Sequence, residues 1–210
     1  MKAKGIPEPT LVRLTIYARC LDDMIQQRVR VVSSDELAQR AGVNAAQVRK
    51  DLSYLGSFGR RGVGYEVRHL ADRIAVAMGL TKERTFVIVG IGKLGSALLG
   101  YDGFLAKGFR PAGAFDVESS KIGRKIGEIT IRHINELPTF VQDHHTEIGI
   151  LTVPSAHAQQ VADDLVNAGI KAILNFAPLV IKVPPHIRYR QVELSSEMEV
   201  LAHYLNSQGD

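Results

Sequence analysis

Residues Thr85 to Leu98 read TFVIVGIGKLGSAL, and this stretch constrains the fold more than any other. Phe86 to Val89 form an unbroken apolar run, which leads into Gly90, Gly92 and Gly95, spaced as G-x-G-x-x-G and followed by helix formers. A buried strand is therefore expected to turn sharply into a helix here, the alternative for a lone G-x-G-x-x-G being an ordinary Gly-rich turn. At this spacing the first glycine permits the tight turn, the second lets a pyrophosphate approach the backbone, and the third lets helix and strand pack closely. Free amides and the positive dipole end at the helix start suit phosphate oxygens.

A second β-like run, Pro111 to Asp116, ends in an acid 21 residues after Gly95. A carboxylate there can accept hydrogen bonds from adenosine ribose hydroxyls, and it would repel a ribose phosphate, which favours NAD over NADP. The alternative is that Asp116 is only a strand-end turn residue. Further along, Ile129–Ile131, Ile148–Val153, Ala172–Phe176 and Tyr189–Leu194 read as strands, with helices over Ile134–Gln142 and from Ser155 through Val166, which stops at Gly169. Strand and helix in alternation predict a parallel sheet covered on both faces, with its ligand at the carboxyl ends of the strands. Pro154, Ser155, Asn175 and Phe176 fall at such ends, and so are candidates for the nicotinamide end of a site.

The first eighty residues have a different character. They carry a net charge of +5, whereas residues 81–210 carry −1, within a total of +4. That division points to a polyanion partner for the N-terminal part. Leu11, Leu14, Ala18, Leu21 and Ile25 mark an amphipathic helix over Pro9–Gln27, and Ser33-Ser-Asp-Glu36 is a capping-box start to a second, Asp35 to Ala41, ending at Gly42. Asn44 can cap a third helix from Ala45 to about Tyr54. A short helix, a Gly-centred turn and another short helix make a helix-turn-helix. Gln47, Arg49, Lys50, Ser53 and Tyr54 supply donors for bases or phosphates, while Val48 and Leu52 keep an apolar seam. The alternative is a solvated face formed by Arg49, Lys50 and Asp51. Gly56 to Tyr65 then reads as a Gly-punctuated hairpin with Arg60 and Arg61 at its tip, the wing of a winged helix. Ser34, Asn44 and Ser57 complete the candidate DNA contacts. A helical pattern over Val67–Met78 precedes a polar linker, which places the boundary near residue 80.

Composition excludes other classes. With 45% apolar and 23% charged residues and no apolar run near membrane-spanning length, the chain has the composition of a soluble globular protein, and a single cysteine, which cannot form an intrachain disulfide, suits a reducing cytoplasm. The single cysteine, Cys20, falls within an amphipathic pattern and is read as packing; no metal-ligand spacing surrounds it.

Gln47-Val-Arg-Lys-Asp-Leu-Ser-Tyr54, Gly62-Val-Gly-Tyr65, Gly90-Ile-Gly-Lys-Leu-Gly95 and Asn175-Phe-Ala-Pro178 occur in colinear order, and with them the chain resembles the Rex family of redox-sensing transcriptional repressors. The resemblance implies an α/β protein with an N-terminal winged helix over 1–80, a Rossmann-type NAD(H) domain over 81–194, and a C-terminal helix over 195–210 exchanged between subunits. It implies a homodimer that binds an inverted-repeat operator when NADH is low and leaves it when NADH binds, without catalysis and without metal. Carried onto this sequence, Gly90, Gly92 and Gly95 hold pyrophosphate and Asp116 the adenosine ribose, with Ile91, Lys93, Leu94 and Val117 also in the cofactor site. Arg19, Tyr101 and Glu193 form a polar link between domains and subunits, and Pro154, Asn175 and Phe176, candidates from their place at the strand ends, complete the expected site for NADH or NAD+. Two rivals are an NAD-dependent dehydrogenase, with His157 as proton donor, and a coenzyme A-binding Rossmann protein.

Overall fold

The structure is a computed structural model that describes residues 5–56, 59–60 and 62–206. Ser57 and Arg61, two of the candidate DNA contacts, lie outside the described residues. The chain separates into two compact units, Met1–Lys82 and Glu83–Asp210.

Among the described residues the first unit is built on four helices and a two-stranded ribbon. Helix α1 (Glu8–Gln26) buries Leu14, Tyr17, Leu21 and Met24 along one face. Strand β1 (Val31–Val32) follows, then α2 (Ser34–Ala41), whose N-cap Ser33 accepts the Glu36 amide. Gly42 closes α2 in the left-handed region at φ 67°, and Asn44 caps α3 (Ala45–Ser53) by accepting the Gln47 amide. These caps satisfy donors that would otherwise lack intrahelical partners. Strand β2 (Tyr65–Glu66) pairs antiparallel with β1 instead of with the chain just before it, while the expected hairpin is held by a bridge between Arg60 and Gly64. Helix α4 (Val67–Ala77) closes the unit, and Leu14, Tyr17, Leu37, Val48, Leu52, Leu70 and Ile74 meet in its core. Cys20 is half-buried against this core, and its burial holds the thiol above its ordinary value.

In the second unit, β3 (Arg84–Val89) turns into α5 (Lys93–Leu99), a single-turn helix α6 (Asp102–Leu105) follows, and β4 (Phe109–Asp116) returns beside β3. A short β5 (Lys125–Ile126) forms an antiparallel ribbon with β6 (Ile129–His133). Then come a 3₁₀ turn, α7 (Leu137–Asp143), β7 (Ile148–Leu151), α8 (Ser155–Ala168), β8 (Ala172–Asn175), β9 (Arg188–Gln191) and α9 (Leu194–Asn206). The sheet order is β5-β6-β4-β3-β7-β8-β9, parallel throughout except for the β5–β6 pair. Its six parallel strands carry the doubly wound order of a Rossmann-type sheet. One apolar cluster, with Val87, Phe115, Leu151 and Leu165, covers one face; a second, with Phe86, Ile88, Ile91 and Ile150, covers the other. Burial on both faces is why β3 reads as a continuous apolar run rather than an alternating one.

Candidate functional site

Winding reverses between β3 and β7, and their carboxyl ends leave a crevice. Gly90 sits there at φ 96°, and a β-carbon on it would come within 2.6 Å of Val153 and 2.9 Å of the Thr152 backbone. At Gly95 a β-carbon would stand 2.2 Å from the Gly90 carbonyl oxygen, so α5 packs hard on the turn. Gly92 differs: among the described residues, nothing beyond its own neighbours in the chain lies within 4 Å of where its β-carbon would be. The Thr152 hydroxyl donates to the Gly90 carbonyl at 2.7 Å and ties the turn to the end of β7.

A cavity of about 850 Å³ opens from this turn, within the range of cofactor pockets. Gly90, Gly92, Asp116, Val117 and Pro154 of the expected set line it, together with Glu118, Lys121, Thr152 and His157 among others. Gly95 is buried beneath the turn, while Lys93 and Leu94 are exposed on α5 outside the lining. Ile91 turns its side chain into the core and donates its amide to Asp116.

Asp116 is almost fully buried, and both of its oxygens are engaged. One accepts the amides of Val117 at 2.8 Å and Glu118 at 2.9 Å; the other accepts the Ile91 amide at 2.7 Å and the Lys121 ammonium at 3.1 Å. Burial would raise this carboxyl, but the amide bonds from Glu118 and Ile91 and the Lys121 contact outweigh it and hold the group below its ordinary value. Lys121 is shared with Glu118 at 2.8 Å. Asp116 thus braces the glycine turn, and Glu118, more than half exposed, offers a second carboxylate on the same rim.

Asn175 and Phe176 are not part of this lining. Asn175 is fully buried, its amide nitrogen donating to the Leu179 carbonyl at 2.9 Å and to Gln191 at 2.8 Å, its oxygen accepting the Ala177 amide at 2.9 Å. It folds the 175–179 turn onto β9. Phe176 packs half-buried against the second apolar cluster. Sequence reasoning missed Glu118, Lys121, Thr152, Gln160, Val161 and Asp164 among the lining residues; the available signal was the spacing of His157, Gln160, Val161 and Asp164 along one face of α8.

In the first unit a groove of about 600 Å³ runs between the start of α2, the outer side of α3 and the ribbon beyond it. Ser34, Arg49, Ser53 and Arg60 line it. Lys50 and Tyr54 are exposed, while Asn44 is occupied in capping α3. Asp51 is not on a solvated face: it is fully buried, which removes that alternative for this residue. Its oxygens accept from Thr10 at 2.9 Å, Tyr17 at 2.9 Å, Gln47 at 2.9 Å and, through a two-pronged contact at 2.6 and 2.8 Å, Arg13. Gln47, expected to read a base, has its amide turned to this carboxylate. Burial would raise Asp51, but the bonds from Arg13, Tyr17, Thr10 and Gln47 prevail and bring its carboxyl down to about 2. Burial and Asp51 hold the Tyr17 phenol protonated, far above its ordinary range.

Of the expected polar link, Arg19 is exposed on α1, Tyr101 is exposed with its ring edge-on to Phe104, and Glu193 is exposed just before α9. Helix α9 buries none of its residues; Met198, Leu201, Tyr204 and Leu205 are exposed. Among the described residues, no cluster of His, Cys, Asp or Glu could hold a metal, and no helix is long and apolar enough to cross a membrane.

Comparison with known proteins follows the same division of the chain. The family described as "Putative DNA-binding protein N-terminus" matches residues 5–53, and that described as "CoA binding domain" matches residues 81–179. The chain is 47% identical to the redox-sensing transcriptional repressor Rex of Streptomyces coelicolor over 97% of its own length and 79% of that protein's. It is 48% identical to the protein of the same name from Carboxydothermus hydrogenoformans, over 96% of this chain and 97% of that one. Among solved structures, RSP in complex with β-NAD+ and operator DNA matches with a TM-score of 0.93 at 36% identity, covering 98% of this chain and 94% of that one. RSP in complex with β-NADH matches with a TM-score of 0.90 at 34% identity, covering 98% and 96%.

Proposed function

The chain belongs to the Rex family of redox-sensing transcriptional repressors, and from that membership we propose how its own residues carry out the sensing. It is a DNA-binding repressor and not an enzyme. The observation that carries the reading is the crevice at the β3–β7 reversal, where Gly92 leaves open space at the turn and two carboxylates stand at the β4 rim. A dinucleotide fits such a site: pyrophosphate against the Gly90–Gly95 turn, adenosine ribose at Glu118 and the braced Asp116. Two carboxylates against the single ammonium of Lys121 leave this rim net negative, which disfavours a ribose phosphate there. His157, the proton donor a dehydrogenase would need, does line this cavity, but the relatives that match over nearly the whole chain are repressors, and they weigh against the dehydrogenase reading.

Reduced and oxidised cofactor differ in the charge of the nicotinamide ring. An apolar surround disfavours the cationic ring by its desolvation cost, and about 1.4 kcal/mol of that cost is already tenfold in affinity. On the DNA side, Arg49, Lys50 and Arg60 meet the duplex, with Ser34 and Ser53 beside them in the groove. Two such units, related by two-fold symmetry in a homodimer joined through α9, would read the two halves of an inverted repeat. Arg19, Tyr101 and Glu193 are our candidates for the link that couples the two activities. The compartment consistent with this role is the cytoplasm.

Coupling is reciprocal: if NADH weakens operator binding by a given factor, operator weakens NADH binding by the same factor. A gel-shift titration on an inverted-repeat duplex, with NADH and NAD+ in parallel, tests the proposal. NADH should release the duplex at concentrations where NAD+ does not. Equal effects of the two cofactors, or none, would refute it.

A further inference from the structure

Helix α3 has nine residues, too few to hold its shape or orientation alone. Its apolar seam, Val48 and Leu52, buries it against the unit's core. Apolar contacts are non-directional, and a seam of two side chains resists rotation about the helix axis weakly. At 100° per residue Arg49 and Ser53 lie about 200° round the helix from Asp51, so they project from the side opposite it. A roll of about 20° would carry a side-chain tip about 2 Å around a cylinder of 5–6 Å radius. That distance is enough to lose a hydrogen bond to a base edge.

The structure contains a device that resists such a roll. The donors to Asp51 come from three successive positions on one face of α1, namely Thr10, Arg13 and Tyr17, and from Gln47 one turn earlier on α3 itself. Arg13 engages both carboxylate oxygens with a planar fork, a geometry that fixes direction as well as distance. Five hydrogen bonds fill the carboxylate's acceptor positions. A buried ion pair adds little net stability over an apolar pair of similar volume, so stability alone is a weak reason for its presence. Registry is the better-attested use of such a group.

We propose that the Thr10–Arg13–Tyr17–Asp51 cluster is a clamp that sets the rotation of α3, and that it determines operator specificity rather than general affinity for DNA. Asp51 and Arg13 are positioning residues: neither need touch DNA, and they act by fixing where Arg49, Lys50 and Ser53 point. The inference rests on the repressor reading above. Its consequence is a division of labour between base-reading geometry, which the clamp governs, and phosphate attraction, which depends on charge and tolerates a small roll.

The test replaces the clamp without opening a hole. In the variant that combines Arg13→Met and Asp51→Leu with Thr10→Val and Tyr17→Phe, apolar side chains take the place of the ion pair and no buried hydroxyl is left without its acceptor, an exchange of the kind that is often neutral or stabilising. The full-length variant and the wild-type chain are titrated, at two salt concentrations, with an inverted-repeat duplex selected by the wild-type chain from a randomised library, and with a scrambled duplex of equal length. Binding to the scrambled duplex and its salt slope should be unchanged, while the operator-to-scrambled ratio should fall at least about tenfold, or 1.4 kcal/mol. A folded variant that keeps the wild-type ratio overturns the proposal, and so does equal weakening on both duplexes. Should that variant fail to fold, Arg13→Lys keeps the charge but loses the fork, and its ratio should still fall; an unchanged ratio also overturns the clamp. A wild-type chain that shows no preference for any inverted repeat would instead overturn the repressor reading, and the clamp's role with it.

Discussion

The Ile91 amide donates to the Asp116 carboxylate at 2.7 Å, joining the middle of the glycine turn to the end of the neighbouring strand. Since Val117, Glu118 and Lys121 fill the remaining acceptor positions, this acid holds the turn in shape before any ribose is considered. Asp116→Ala should therefore weaken NADH by tenfold or more, because three amides lose their acceptor and the turn loosens. Operator affinity without cofactor should be unchanged. Isothermal titration with NADH, beside a gel shift, checks both halves; normal NADH affinity would remove Asp116 from the site.

Two glycines three residues apart should respond oppositely. Gly92→Ala places a methyl in open space at an ordinary negative φ, so the melting temperature should hold or rise slightly while NADH binding falls at least tenfold. Gly95→Ala sets its methyl against the Gly90 carbonyl and should cost about 1–3 kcal/mol of stability. Thermal melts with NADH titrations distinguish them. A Gly92→Ala chain that binds NADH normally would mean that pyrophosphate does not approach there.

Arg60 stands at the bridge with Gly64, exposed and lining the α3 groove. Arg60→Ala together with Arg61→Ala should weaken binding to every duplex alike. The salt slope should flatten by about one for each phosphate that is no longer neutralised. Unchanged affinity would leave the wing without a role in DNA binding.

Acid should weaken the Asp51 clamp in a calculable window. With a folded value of about 2 against an ordinary 3.8, the ionised carboxylate contributes stability that is fully present above pH 4 and lost as pH falls through about 2. The gap corresponds to about 2 kcal/mol. Asp51→Asn should therefore be destabilised against wild type at pH 7, with the titration-linked part of the difference roughly halved at pH 3. Urea unfolding of both chains at pH 7, 5, 4 and 3 measures it, and a pH-independent difference would mean that Asp51 does not titrate this way.

Removing Ser195 to Asp210 deletes nearly all of a helix that leaves Met198, Leu201, Tyr204 and Leu205 exposed. If a partner subunit covers that face, the shortened chain should run as a monomer on sizing, and its operator affinity should fall at least tenfold as two half-sites become one. A shortened chain that remains a dimer would exclude the exchanged helix.

What the sequence disclosed was mostly local. The glycine turn, the Ser33 and Asn44 caps and the apolar strands each depend on neighbours within a few residues, and the structure has them at or within a residue or two of the expected positions. The sequence leaves Asp51 open to a solvated reading because its partners on α1 lie 34 to 41 residues upstream, beyond any periodicity. Asn175 sits at a strand end, as expected, but its bonds to Leu179 and Gln191 turn it inward, and no local signal distinguishes a loop brace from a ligand contact. The brief elements α6 and β5, four and two residues long, are too short for a pattern to register.

Holding a nine-residue helix by donors from α1 also limits what can be borrowed from this protein. A synthetic copy of Ala45 to Ser53 would be a coil in water and would not compete for a duplex. The smallest transplantable reading head must begin upstream of Thr10, so a graft onto another scaffold has to carry that first helix along with the one proposed to read the duplex.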